Sequence, residues 1–213
     1  MRTNTDELPP NRPSPHEPAD IWRTLCFVES WLAVSGDLAT DVSDEAALLQ
    51  LQGWRDAGIT HILDVRGEWN DRAFVQRHAP EIGYSWLGTH DRGGAQSDDW
   101  YEAGLAVAEQ VQRDGGRLVV HCHMGVNRAP SLAFRILLAN DYAPVEAIQR
   151  IRDARPIAAV LYAESALGHH HRTVGTSPED SVLERRALNE WMFENDVDTY
   201  WIISNIRQAE SRN

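Results

Sequence analysis

Two side chains with clear chemical potential, Cys122 and Arg128, enclose a five-residue loop, residues 123–127. The loop follows the apolar run 118–120, which reads as a buried strand. Residues 129–138 then read as a helix with a proline in its first turn. A loop at the start of a helix presents unpaired backbone amides and the positive end of the helix dipole to an anion. The pattern therefore predicts a site where a cysteine thiolate faces a bound phosphoryl group.

The residue types inside the loop suit that chemistry. Gly125 permits a tight turn, because glycine tolerates backbone angles that side chains forbid. The field of the amides and the dipole should favour the nucleophilic thiolate of Cys122, and the planar fork of Arg128 can hold two phosphate oxygens at once. We expect the loop amides to surround the phosphoryl oxygens as an anion nest. The predicted phosphate-binding residues are His123, Met124, Gly125, Val126, Asn127 and Arg128.

The run from His121 to Arg128 resembles the Cys-x5-Arg signature of protein tyrosine phosphatases, and its His-Cys-x-x-Gly-x-x-Arg form is most similar to the dual-specificity branch. The resemblance covers residues 25–167. It implies hydrolysis of phosphotyrosine- or phosphoserine-type monoesters through a phosphocysteine intermediate, with no cofactor and no metal. It also implies that His121 orients the loop through backbone hydrogen bonds. A metal site at His121, Cys122 and His123 is unfavourable, because three adjacent residues rarely converge on one tetrahedral ion.

The resemblance further implies an aspartic acid on an upstream loop, which protonates the leaving oxygen and then activates the attacking water. Asp91 fits this role, since it lies 31 residues before Cys122 and just after a short apolar run. Asp98 and Asp99 are the alternatives. They look more like the cap and first turn of a helix over residues 97–113, where acidic side chains favour the helix dipole.

The residue after the arginine departs from the family pattern. Ala129 occupies the position where most members have a serine or threonine whose hydroxyl stabilises the departing thiolate, and Ser131 lies two residues further on. The Arg-Ala-Pro string is similar to that of the phosphatases of regenerating liver, a slow branch. A missing charge-assisted hydrogen bond corresponds to about 1.5–3 kcal/mol, so we expect a slow second step. Two alternatives stay open: a phosphoprotein-binding module with little turnover, and an enzyme resembling rhodanese or arsenate reductase.

The overall composition limits the classes of function. The chain has 213 residues, and 42% of them are hydrophobic, which suits one globular domain with a sizeable core. Its net charge of −12 argues against a nucleic-acid partner, because phosphate backbones are bound by basic surfaces. All 20 basic side chains are arginine, which excludes a Walker-type lysine and Schiff-base chemistry. The expected partners are phosphorylated proteins or small phosphate monoesters.

The two cysteines, Cys26 and Cys122, do not make a disulfide framework, and no signal peptide or long apolar segment is evident. We therefore expect a cytoplasmic protein without membrane contact. Cys26 reads as a buried core residue, and a protective disulfide with Cys122 is the alternative.

The order of the elements predicts an α/β fold. Residues 1–20 are rich in proline and predict a disordered or extended arm. Residues 21–167 alternate strands and helices, which implies a central, mostly parallel sheet flanked by helices, with a C-terminal helical extension. Residues 168–213 read as a linker, starting at Gly168 and three histidines, followed by one long helix over residues 179–207. Its apolar side chains need burial, so we expect it to pack on the same chain, with a homodimer interface as the alternative.

One further segment could line the site. Glu68 and Trp69 follow the predicted strand of residues 60–65, and the carboxyl ends of parallel strands face the ligand crevice. We favour the interpretation that this segment is a surface loop with one packed tryptophan.

Overall fold

The computed structural model describes residues 21–211 and contains one mixed sheet covered by helices. The strands are β1 (Cys26–Phe27), β2 (Leu32–Ser35), β3 (His61–Arg66), β4 (Gly83–Thr89) and β5 (Leu118–His121). The helices are α1 (Asp44–Asp56), α2 (Arg72–His78), α3 (Asp98–Arg113), α4 (Arg128–Ala139), α5 (Pro144–Ala154), α6 (Ala163–Val174), α7 (Pro178–Glu194) and α8 (Thr199–Glu210). The strand order is β1-β2-β5-β3-β4, and only the β1–β2 pair is antiparallel. This confirms the predicted α/β class.

The strand and the helix on either side of the predicted loop are both deeply buried. β5 lies in the middle of the sheet between β2 and β3, and all four of its residues are buried. α4 follows it and is buried along residues 128–138. Close packing around both elements fixes the two ends of the loop. The loop therefore lies at the carboxyl edge of the parallel strands, where sheets of this kind bind ligands.

Three helical segments differ from the sequence-based predictions. No helix was predicted at Arg72–His78, where the structure has α2. The predicted linker that begins at Gly168 is the second half of α6, which ends only at Gly175, a residue with φ of 73°. The predicted single helix over residues 179–207 is two helices, α7 and α8, separated by residues 195–198.

Hydrogen-bond partners of two buried histidines explain why the histidine triplet is helical. His169 Nδ1 accepts a hydrogen bond from Arg135 Nε at 2.8 Å. His171 lies 2.8 Å from Ser181 Oγ and 2.7 Å from Glu184 Oε2, both on α7. These contacts hold the segment against α4 and α7, so it does not behave as a solvated linker.

Both C-terminal helices pack on the rest of the chain. Leu188 of α7 is fully buried in the main core, and α8 buries Ile202 and Ile206 against Trp22 and Val126. Asp198 starts α8 by accepting a hydrogen bond from a backbone amide of its first turn.

No helix in the described part of the chain is long and apolar enough to cross a membrane. The predicted arm, residues 1–20, lies outside the described residues.

Candidate active site

The carbonyl oxygens of the loop between β5 and α4 accept hydrogen bonds from other segments of the chain. Four consecutive loop carbonyls accept hydrogen bonds from neighbouring segments: His123 O from Asp37 N (2.9 Å), Met124 O and Gly125 O from Arg155 (3.0 and 2.6 Å), and Val126 O from Ala159 N (2.8 Å). In a trans peptide the N–H points away from the preceding C=O. The amides of residues 124–127 therefore face the inside of the loop, as an anion nest requires.

Gly125 is required at its position for two reasons. Its φ of 61° lies in the left-handed region that favours glycine. A Cβ there would also meet Arg155 Nη2 at 2.3 Å and Ser35 O at 2.7 Å. A side chain at this position would displace the arginine that holds the loop.

Arg155 is a site residue whose role the sequence did not show. Its side chain is buried and donates to Gly125 O, Met124 O, Trp22 O (2.6 Å) and Thr24 O (3.1 Å). One guanidinium thus ties the predicted phosphate loop, residues 123–127, to the segment before β1. In the sequence, Arg155 is followed by Pro156 near the end of residues 21–167.

Cys122 lies beneath an open pocket of about 410 Å³. The cysteine is 3% exposed and packs in the main core. The pocket brings the predicted nucleophile, arginine and acid together with side chains that the sequence did not connect. It is lined by Glu68, Asp91, Gly93, Cys122, His123, Met124, Val126, Asn127, Arg128, Leu161, Thr199, Ile203 and Arg207.

Arg128 is held in place by the loop after β3 and by the last residue of β4. Its Nη1 donates to Glu68 Oε2 at 2.7 Å and to Thr89 O at 2.8 Å. Burial works to lower the pKa of Arg128, but the neighbouring Cys122 and Glu68 outweigh it and raise that pKa. Burial would likewise raise the pKa of Glu68, yet the hydrogen bond from Arg128 lowers it. The favoured interpretation of Glu68 as part of a plain surface loop is therefore wrong.

Asp91 faces Arg128 across the pocket, with its two oxygens in different settings. Oδ1 accepts hydrogen bonds from Asn127 Nδ2 at 2.7 Å and from Tyr162 OH at 2.6 Å. Oδ2 lies 3.7 Å from Arg128 Nε. Burial, and then the contact with Asp91, raise the pKa of Tyr162, which keeps this phenol a donor. Tyr162 was missed because it follows α5 and lies far from the signature in sequence.

The alternative acids lie elsewhere. Ser97 caps α3, with its side chain accepting from Trp100 N, and this places Asp98 and Asp99 in the first helical turn. Asp98 pairs with Arg172 on α6 at 2.6 Å. Neither carboxylate lines the pocket.

Asn127 links the phosphate loop to the loop after β4, which carries Asp91, and to the segment after α5. Its amide group donates to Asp91, and its Oδ1 accepts from Leu161 N at 2.8 Å and from Ser131 Oγ at 3.2 Å. Ser131 Oγ also accepts from Tyr162 N at 3.3 Å. Ser131 thus supports Asn127 and is not directed at the cysteine. Ala129, the first residue after Arg128, has no hydroxyl group that could donate a hydrogen bond to Cys122.

His121 does not make the predicted backbone hydrogen bonds. It is fully buried, and among residues 21–211 neither of its ring nitrogens has a hydrogen-bond partner. Its ring packs 5.8 Å from that of Trp54, and its Nε2 lies 3.8 Å from Asp64 Oδ2. Burial lowers the pKa of His121, which favours the neutral ring. The ring thus packs against Trp54 of α1.

A group of acids lies next to His121. Asp64, Asp71 and His121 could hold a metal ion by their spacing. Arg66 already takes the place of a cation there, with Nη2 at 2.7 Å from Asp64 Oδ2 and 2.5 Å from Asp71 Oδ2. Tyr84 completes the group through a 2.5 Å hydrogen bond to Asp64. We interpret this group as a buried support under the phosphate loop.

His123 connects the phosphate loop to the C-terminal helix. Its Nδ1 lies 2.7 Å from Asp37 Oδ2, and its Nε2 lies 3.0 Å from Glu210 Oε1 on α8. The hydrogen bond to Asp37 raises the pKa of His123. Burial raises the pKa of Glu210 in spite of its contact with His123. Trp69 packs edge-on against His123, with 5.3 Å between the ring centroids.

The sheet keeps the two cysteines apart. Cys26 pairs with Val34, and Val34 pairs with Val120, two residues before Cys122. Two strand spacings of about 4.8 Å therefore separate the cysteines, which exceeds the reach of about 7 Å between Cα atoms in a disulfide. A disulfide between Cys26 and Cys122 would need the sheet to rearrange.

Comparisons with known proteins agree with this geometry. No family profile matches the sequence. The chain is 30% identical over 112 residues to dual specificity protein phosphatase 26 of Bos taurus, a match that covers 48% of this chain and 50% of the relative. It is 24% identical over 102 residues to dual specificity protein phosphatase 5 of Rattus norvegicus, with 47% and 25% covered. The chain thus spans half or less of the length of these relatives.

Solved structures support the same fold. The crystal structure of human DUSP28 superposes with a TM-score of 0.56 at 18% identity, covering 70% of this chain and 95% of that one. This likeness shows that the two chains share a fold. The chain is similar to dual specificity phosphatases, which are cysteine-dependent protein tyrosine phosphatases.

Proposed function

We propose that this chain is a phosphatase of the dual-specificity kind, which hydrolyses phosphotyrosine- or phosphoserine-type monoesters of proteins through a phosphocysteine intermediate. The observation that carries the proposal is the single pocket that Cys122, Arg128 and Asp91 share. An anion nest, a guanidinium and a carboxyl group around one thiol are the parts that phosphoryl transfer to sulfur requires.

In the first step, the loop amides and Arg128 hold the phosphoryl group. The Nε of Arg128 is buried and has no hydrogen-bond partner among the described residues. The Cys122 thiolate attacks phosphorus, forming the S–P bond as the P–O bond to the leaving group breaks. Asp91 donates its proton to the leaving oxygen. Two donors occupy Oδ1 of Asp91, so Oδ2 is the oxygen that carries this proton.

In the second step, the Asp91 carboxylate takes a proton from a water molecule. The water oxygen attacks phosphorus, the S–P bond breaks, and inorganic phosphate and the thiolate are released. Ala129 offers the departing thiolate no hydroxyl donor, because its side chain is a methyl group. This supports a second step slower than the first, with the phosphocysteine accumulating.

Pre-steady-state release of phenolate from an aryl phosphate tests the proposal. We expect a burst near one equivalent per active site, followed by slow turnover, and no burst from Cys122→Ser. Ala129→Ser should raise steady-state turnover, by up to about tenfold if one hydrogen bond to the thiolate is restored. A wild-type rate equal to that of Cys122→Ser would remove the proposal.

A phosphoprotein-binding module is the second candidate, and Ala129 is the observation that favours it. It predicts tight binding of a phosphopeptide by wild-type protein with no burst of product. An enzyme resembling rhodanese has no need of a carboxylic acid, so full activity in Asp91→Ala would indicate that class instead. The likeness to dual specificity phosphatases supports the hydrolase over both.

A further inference from the structure

The C-terminal helix forms one wall of the pocket. Thr199, Ile203 and Arg207 all line it, and their spacing of four residues places them on one face of α8. The neighbouring face of α8 carries Ile202 and Ile206, which are buried. One face of α8 thus packs on the rest of the chain, and the neighbouring face forms a wall of the pocket.

This attachment is made to the phosphate loop itself. Ile202 and Ile206 pack in one cluster with Trp22 and Val126, and Met124 packs against the same cluster. Two side chains of the loop that would bind the phosphoryl group therefore hold α8. Glu210, one turn after Arg207, reaches His123 of the same loop at 3.0 Å. The position of α8 is fixed relative to Cys122.

Arg207 differs from the other arginine of the pocket in its partners. Arg128 is paired with Glu68 at 2.7 Å and lies 3.7 Å from Asp91. The side chain of Arg207 makes no hydrogen bond or ion pair with any residue in the range 21–211, and it is exposed. It adds a positive charge to the wall that no carboxylate in this range neutralises. An anionic group of a ligand beside the scissile phosphate would meet it there.

We propose that Arg207 is a specificity-determining residue that binds a second anionic group of the substrate. This inference rests on the proposed function. It implies that the preferred substrate is a phosphorylated peptide segment with an acidic or phosphorylated side chain next to the scissile phosphate. The whole protein carries a net charge of −12, so such a substrate approaches against long-range repulsion. A local cation on the pocket wall offsets this repulsion where the second anion lies.

Two phosphotyrosine peptides of otherwise identical sequence test the inference, one with aspartate on both sides of the phosphotyrosine and one with asparagine. Wild-type protein should give a higher kcat/KM for the aspartate peptide. In Arg207→Gln the ratio of the two kcat/KM values should fall by about fivefold, the scale of one partly exposed ion pair. Arg207→Lys should retain most of the ratio, because it keeps the charge.

Arg113→Gln is the matched control. It removes the same charge from an exposed arginine at the end of α3. This end of α3 leads into the amino end of β5, whereas the pocket lies at the carboxyl end of the strands. The ratio should stay at the wild-type value in this variant when ionic strength is held constant. An equal fall in Arg113→Gln and Arg207→Gln would overturn the inference, and so would equal ratios in wild type and Arg207→Gln.

Binding of the same peptides to Cys122→Ser separates this inference from the proposed function. A preference for the aspartate peptide that Arg207→Gln removes supports the inference, even if wild-type protein hydrolyses neither peptide. Hydrolysis of both peptides at equal kcat/KM, with equal affinities, would overturn the inference and leave the proposed function intact.

Discussion

The carboxyl group of Asp91 is set up by its neighbours to act through one of its two oxygens. Oδ1 accepts two hydrogen bonds, from Asn127 on the phosphate loop and from Tyr162 after α5. Oδ2 has no such partner among the described residues and faces Arg128. Any change that frees Oδ1 should let the carboxyl group rotate and lose its direction toward the leaving oxygen.

Tyr162→Phe should therefore lower kcat/KM by about tenfold, the scale of one hydrogen bond to a charged group. We expect a larger loss with alkyl phosphates than with aryl phosphates, because a good leaving group needs less help from the acid. Rates over a series of leaving groups check this. Tyr142→Phe is the control, since its phenol donates to Glu29 at 2.6 Å outside the pocket. Equal losses with all leaving groups would contradict a role for Tyr162 in aligning the acid.

The elements nearest the signature could be predicted from sequence because local rules determine them. A continuous apolar run gives β5, and the loop and the proline-containing start give α4. The predicted Asp91 lies at the pocket for the same reason, since it follows β4, whose end faces the same edge. The dual-specificity signature thus indicated the proposed catalytic set and the sheet around it.

The elements that complete the pocket depend on tertiary contacts that no local pattern shows. The sequence of α6 resembles a linker because it does not show the contacts that His169 makes with α4 and that His171 makes with α7. α8 becomes a wall only because its apolar face packs on Met124 and Val126. Arg155 and Tyr162 reach the site from more than 25 residues away in sequence, and spacing alone gave no role to either.

The contact between His123 and α8 predicts a pH dependence of stability. The pKa of His123 is raised above its ordinary value of 6.5, chiefly by the hydrogen bond to Asp37. A group with a raised folded-state pKa adds stability that is complete below 6.5 and is lost as the pH rises through the folded value. The free energy of unfolding should fall over that interval.

Urea unfolding at a series of pH values measures this, with His123→Gln as the comparison. The variant should be less stable at low pH and should show a smaller decline as the pH is raised. Hydrogen exchange of α8 amides should accelerate over the same interval in wild type, since Glu210 loses its charged partner. Parallel pH curves for the two proteins would rule out His123 as the source.

The charge of the whole molecule opposes the proposed substrates. The chain carries 32 acidic and 20 basic side chains, while the pocket itself holds two carboxylates and two arginines. The pocket is therefore close to neutral, whereas the whole chain carries a net charge of −12. A phosphate dianion must cross this field before the loop amides and Arg128 can bind it.

Salt should therefore raise activity toward a small aryl phosphate. We expect kcat/KM to increase by about twofold to threefold as ionic strength rises from roughly 0.01 to 0.15 M, because the Debye length shortens from about 30 to 8 Å. Initial rates in sodium chloride check this, and a neutral solute at matched osmolality is the control. A steady fall in kcat/KM with salt would mean that the arginines of the pocket dominate the field. In that case attraction by Arg128 and Arg207 would extend to the approach of the substrate as well as to its bound state.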